Sequence, residues 1–204
     1  WAADLEPIKQ SLSAETGLDP EQIVIYFTHT HAAGLMDSTR ADLPGGELIA
    51  PYLAEIGEQM SVAAAALPNS LEEMWLTTSS GHCSLAQNRD YWDKASNSFV
   101  CGYNPHGAAD STVMVIRLCD LEGNVKTVLV NYGCHPTTLA WDNQLISPDY
   151  VGPMRRTLRQ ALGTIPVVFI QGASGDVGPR GTSLHDARGC DLLARHLHGR
   201  VAAT

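Results

Sequence analysis

Val128-Leu129-Val130-Asn131-Tyr132 runs directly into Gly133-Cys134-His135-Pro136. A short run of β-branched and aromatic residues, closed by Gly and Pro, reads as a buried strand. The same grammar occurs upstream, where Ile23-Val24-Ile25-Tyr26-Phe27 leads into Thr28-His29-Thr30-His31. It occurs a third time where Val167-Val168-Phe169-Ile170 opens into a Gly-rich turn, Gly172 to Pro179. Side chains on a strand alternate faces, so His29 and His31 are expected to point the same way. Open α/β sheets bind ligands at the carboxyl ends of their strands. Three imidazoles at two such ends mark the place for a metal or a catalytic base.

Outward from these runs, residues 2–16 have helical spacing, with Leu5, Ile8 and Leu12 on one face and Gly17 as a stop signal. Glu47 to Leu67 reads as a long Ala-rich helix ended by Pro68, and Glu73 to Thr78 as a strand. Ser79 to Asp110 reads as a long loop, of the kind that usually carries function. Val113–Leu118 and Val125–Tyr132 read as strands joined by a hairpin turn, Asp120-Leu121-Glu122-Gly123-Asn124. Pro148 to Leu162 reads as a helix closed by Gly163, and a last helix is expected from Leu184 to Val201. β-α-β order combined with a hairpin predicts an α/β fold with a mixed sheet and flanking helices. No internal repeat is visible, and residues 1–204 read as a single domain.

Composition excludes several classes. The 204 residues are 44% apolar and carry 13 Lys+Arg against 22 Asp+Glu, a net charge of −9. A nucleic-acid surface would need a basic stripe, which this balance does not supply. No apolar run is long enough to span a bilayer. The chain opens on Trp1 and reads as a fragment or processed form, so the compartment, cytoplasmic or secreted, stays open. The five cysteines include no C-x-x-C pair, which argues against a zinc ribbon. Cys119 and Cys134 are expected to pack as small hydrophobes. Cys83 and Cys101 flank a loop, where a disulfide is one option.

Neutral imidazole is the commonest metal ligand, and catalytic zinc takes about three protein ligands plus water. His29, His31 and His135 are the candidates. In the Gly-rich turn the amides can cradle an anion, or the glycines simply shape the turn. Asp176 there can orient a histidine or hold a cation. Arg89 can clamp an anionic or carbonyl group, or be a solvated loop residue. Tyr91, Trp92 and Tyr103 can line an apolar pocket or cover the core. Ser174 is not a nucleophile elbow, because G-x-S-x-G is absent. His196 and His198 lie two apart on the last expected helix, on different faces, and are not expected to share a metal.

Thr28-His29-Thr30-His31, Asn88-Arg89, Asn131 to Pro136, Asp149-Tyr150 and Gln171 to Pro179 occur in order across most of the chain. Together they resemble the N-terminal catalytic domain of the neutral/alkaline non-lysosomal ceramidase family, nearest to its uncharacterised bacterial members. The resemblance implies a zinc amidase that cleaves an N-acyl bond of a lipid amide such as ceramide. It implies zinc on His29 and His135, His31 beside the metal-bound water, and Arg89 in the same site. It also implies that residues 1–204 are part of a larger catalytic domain. In two respects the chain departs from the family. Gly178 stands where ceramidases have a serine with a catalytic role. The family's remaining zinc ligands, a Glu and a Tyr, come from a later segment, and this chain has no Glu after Glu122. Two other functions therefore stay open: a ceramidase-like module that binds without turnover, and a metal hydrolase of another small amide or ester. Oligomeric state is not legible.

Overall fold

The computed structural model describes residues 2–139 and 143–180. The last expected helix, with His185, His196, His198 and Cys190, lies outside the described residues. The chain divides into two compact units, Trp1–Tyr26 with Gly34–Glu72, and Phe27–Ala33 with Glu73–Thr204.

The first unit is built on two helices, α1 (Ala2–Thr16) and α2 (Ile49–Ala66). Gly17 ends α1 in a left-handed conformation, φ +72°, with its N–H on Ser13 O at 2.9 Å. Ile8, Leu12 and Ala64 form the core, and Leu5, Met60, Ile23 and Ile25 pack against it. The face predicted for α1 is thus the face it buries. Ile23–Phe27 corrects the first expectation, because no ladder forms there. Its alternation is real: Val24 is 79% and Tyr26 45% exposed, while Ile23 and Ile25 turn inward. That apolar side is spent on the two helices, so no partner strand is needed.

The second unit holds a four-stranded mixed sheet, β1 (Trp75–His82), β5 (Thr112–Cys119), β6 (Val125–Tyr132) and β7 (Val167–Gln171), in the order β1-β5-β6-β7. The first two pairings are antiparallel and β6–β7 is parallel. The β5–β6 hairpin closes as expected, with Asp120 N–H on Asn124 O at 3.0 Å and Gly123 at φ +89°. The crossover from β6 to β7 passes through α3 (Val151–Leu162), which buries Val151, Met154 and Leu158. These meet Val113, Val115, Val128, Val130, Tyr132, Val167 and Phe169 in one core. α3 starts at Val151 rather than Pro148, because Asp149 sits at φ +50° and breaks the helical path.

The loop expected over residues 79–110 has its own structure, a second correction. β1 continues to His82. The short strand β2 (Ala86–Asn88) pairs with β8 (Val177–Pro179) from the Gly-rich turn, and β3 (Asp90–Asp93) pairs with β4 (Ser98–Cys101). Trp92 stacks edge-on against Phe99, centroids 5.0 Å apart, within that hairpin. Tyr91, Trp92 and Tyr103 stay exposed, so they do not cover the core. Cys83, Cys101, Cys119 and Cys134 are all free thiols, with Cys83 buried and Cys101 exposed. The disulfide option is not taken. Among the described residues no helix is long and apolar enough to cross a membrane.

Candidate metal centre

β6 ends in two glycine-dependent steps that deliver His135. A Cβ on Gly172 would lie 3.0 Å from Gly133 Cα, and one on Gly133 would lie 2.9 Å from Ala173 O. The turn after β6 and the turn after β7 therefore touch backbone to backbone, and both glycines are required by that approach. His135 then lies against the Gly-rich turn. Its Nδ1–H donates to Ser174 O at 2.5 Å and Val177 O at 3.1 Å, and its backbone N–H reaches Val177 O at 3.3 Å. Carbonyls only accept, so the proton is on Nδ1 and the Nε2 lone pair is free to point outward.

That lone pair faces the other histidine phrase. His29 Nε2 lies 2.9 Å from His135 Nε2, so without a cation His29 donates its proton to His135. The His29 and His31 rings are edge-on, centroids 4.9 Å apart, and His31 lies 5.2 Å from His135. One potential ligand atom from each of the three lies within 4.8 Å of the others. They gather without a strand. His29 sits at φ +59°, a left-handed conformation for a non-glycine residue, and this turn aims both rings at one point. The expected strand alternation is therefore not what brings them together.

The electrostatics favour the neutral form of His135 and His31. Burial, then the Arg89 guanidinium, hold His135 down at about 4, although the carbonyls of Ser174 and Val177 pull the other way. His31, exposed at the surface, is lowered by partial desolvation, by His29 and by Arg89. A neutral ring is the ligating form. The folded pKa of His135 lies below its unfolded value, so the unfolded chain binds more protons between the two. Stability contributed by this group is complete above ~6.5 and is lost as pH falls toward about 4. The unfolding midpoint of the metal-free chain, followed in urea from pH 7.5 to 4, is expected to fall through that window. In a His135→Asn variant this part of the slope should vanish; an unchanged slope would refute the assignment.

The other expected site residues divide. Arg89 is in place: its N–H donates to Asp176 O at 2.8 Å, its Nε–H to Gly175 O at 2.9 Å, and its charge reaches both His31 and His135. The Asp176 carboxylate accepts from Asn88 Nδ2 at 3.3 Å. The orienting job expected of it belongs instead to the carbonyls of Ser174 and Val177. A Cβ at Gly178 would meet Arg89 Cδ at 3.5 Å, ordinary contact, so a serine fits there. Two residues gain a part that the sequence reading left unassigned. Asn88, 8% exposed, donates to Ala108 O and Asp176 and accepts from Asp90 N–H. Asp149, 3% exposed, accepts from Thr138 Oγ1, Leu139 N–H and Tyr150 N–H.

No family model matches the chain. The fold is shared with the crystal structure of neutral ceramidase from Pseudomonas aeruginosa, TM-score 0.67 at 18% identity, over 96% of this chain and 34% of that one. It is shared equally with a ceramidase complexed with C2, TM-score 0.71 at 18% identity, over 100% and 34%. In sequence the chain is similar to neutral ceramidase A of Dictyostelium discoideum, 29% identical over 137 residues, 57% of this chain and 19% of the relative. The chain is related to the neutral ceramidases. It spans about a fifth of that curated relative and about a third of the two solved ceramidases.

Proposed function

We propose that this chain carries the histidine half of a zinc-dependent hydrolase of N-acyl amide bonds, ceramidase-like in its substrate. The observation that supports this most is the 2.9 Å approach of His29 Nε2 to His135 Nε2, with His31 beside them. Two imidazole nitrogens converging at that distance suit a shared cation. A bound zinc lowers the pKa of its water to ~7 and polarises the substrate carbonyl. His29 and His135 would hold the metal. His135 is fixed for this by the two carbonyls on Nδ1, the outer-shell support that metal-bound histidines ordinarily have. His31 would take up and return the proton of the attacking water, a role that its lowered pKa suits. Arg89, held by Gly175 O, would face charge developing on the amide oxygen. Asp176 would act at one remove, through Asn88 and the backbone that carries Arg89.

The substrate would be a lipid or other small amide, as the likeness to ceramidases supports. Residues 1–204 would be one part of a larger catalytic domain. Among the described residues the cluster holds three histidines and no carboxylate, which leaves the centre short of a closed set. Zinc added to this chain is therefore expected to bind at one equivalent and to leave on dialysis against a chelator. Zinc that survives the chelator would show that other residues complete the site. The decisive test is hydrolysis of a panel of N-acyl substrates by the full-length protein, with and without zinc. Metal binding without turnover of any of them would favour a binding module.

A further inference from the structure

The segment Ser147–Tyr150 touches both histidine phrases. Ser147 N–H donates to Ala32 O at 2.9 Å, an isolated antiparallel bridge on the residue that follows His31. Ser147 Oγ in turn accepts from Asp149 N–H at 3.1 Å. The Asp149 carboxylate takes three donors. Oδ1 accepts from Thr138 Oγ1 at 2.6 Å and from Tyr150 N–H at 2.7 Å, and Oδ2 accepts from Leu139 N–H at 3.0 Å. Thr138 and Leu139 lie three and four residues past His135. Tyr150, fully buried, donates its hydroxyl to Cys134 O at 2.7 Å, on the residue before His135. His135 is thus held from both sides of its own backbone, and His31 from one side, by four consecutive residues.

We infer that Ser147–Tyr150 is a clasp that sets the spacing of the histidine centre, with Asp149 and Tyr150 as positioning residues for His135 and Ser147 for the His31 phrase. The backbone is committed to this task. Asp149 adopts φ +50°, and aspartate is among the few residues that tolerate it, because its short side chain bonds locally. A carboxylate that accepts three donors while nearly buried is a rigid joint. Without it, Leu139 N–H and the Thr138 hydroxyl lose their acceptor, and the chain beyond His135 is freed. The inference rests on the metal-centre reading only for its effect on zinc; the spacing of the rings is tested without metal.

The experiment compares Asp149→Asn, Tyr150→Phe and Leu158→Ala with the parent chain. Tyr150→Phe is the mild variant, because Cys134 O keeps a donor in Gln171 Nε2 at 3.2 Å. Leu158→Ala truncates the core on α3 and controls for lost stability alone. Ring-to-ring NOEs among His29, His31 and His135 are read in the metal-free chain, and zinc affinity by competition with a chromophoric chelator. Asp149→Asn and Tyr150→Phe are expected to weaken the His31–His135 NOE while the sheet resonances stay in place. Their zinc affinity should drop ~10–100-fold, as when outer-shell partners of metal ligands are lost. Leu158→Ala should lower the unfolding midpoint and leave both readouts at parent values. If Asp149→Asn fails to fold, Tyr150→Phe carries the comparison. Parent NOEs and affinity in Tyr150→Phe, or equal losses in Leu158→Ala, would overturn the clasp. A parent chain that takes up no zinc would count against the metal centre, and the NOEs would still decide the clasp.

Discussion

In the full-length protein, His135→Ala is expected to release zinc and take amide hydrolysis to background, while His31→Ala keeps the metal and loses ~10²–10⁴-fold in rate. On the proposed metal-centre reading, the division rests on the burial and spacing of the rings. His135 alone of the three is buried, and its Nδ1–H is fixed on Ser174 O and Val177 O, so its Nε2 has one direction in which to act. His29 Nε2 meets it at 2.9 Å. His31 stands beside this pair, its ring centroid 4.9 Å from His29 and 5.2 Å from His135, with a ring nitrogen within 4.8 Å of theirs. On the proposed reading it would address a water on the metal. Zinc content after gel filtration, measured beside kcat, separates the two roles. If His31→Ala loses zinc as readily as His29→Ala, both are ligands and the proton carrier lies elsewhere.

Tyr132→Phe is expected to cost about 2–6 kcal/mol of stability, because it strands two buried backbone groups at ~1–3 kcal/mol each. The Tyr132 hydroxyl donates to Cys83 O at 2.9 Å and accepts from Ala86 N–H at 3.0 Å. Both contacts are buried, and burial and the neighbouring Cys134 thiol push the phenol well above its usual range, so it stays a donor at any working pH. The bond pair anchors the start of β2 to the end of β6. β2 in turn pairs with β8, whose Val177 carbonyl orients His135. At this chain length the loss corresponds to a drop of ~4–24 °C in melting temperature. Calorimetry on the metal-free chain checks it. A change under 2 °C would mean that water replaces the hydroxyl, and that the contact stabilises little.

Much of this molecule lies in local sequence. α1, α2, the β5–β6 hairpin, β7 and α3 follow from period, turn residues and stop signals within a window of 10 to 20 residues. Ile23–Phe27 has the strand signal and lacks the strand. The alternation Ile23/Ile25 against Val24/Tyr26 is satisfied by helices, and nothing within the run says which partner will meet it. Residues 79–110 fail in the opposite sense. Ala86–Asn88 is too short to show a period, and its partner β8 lies about 90 residues away, inside a turn that glycine content marks as irregular.

For the site, the residue types were legible and their arrangement was not. Imidazoles after apolar runs, an Arg-bearing loop and a Gly-rich turn name the chemistry: neutral nitrogen ligands, a cation for developing charge, and close backbone approach. His29 and His135 are 106 residues apart, and their 2.9 Å separation depends on a left-handed turn at His29 and on the contact of Gly133 with Gly172. The orienting partner of His135 is likewise backbone, so no side-chain motif could announce it; Asp176 was the visible substitute. Sequence determined which side chains could carry the proposed chemistry and which runs are apolar, because both are properties of single residues and short periods. Tertiary structure alone decided which runs pair and where the imidazole nitrogens converge, because those distances are set by packing between segments that are remote along the chain.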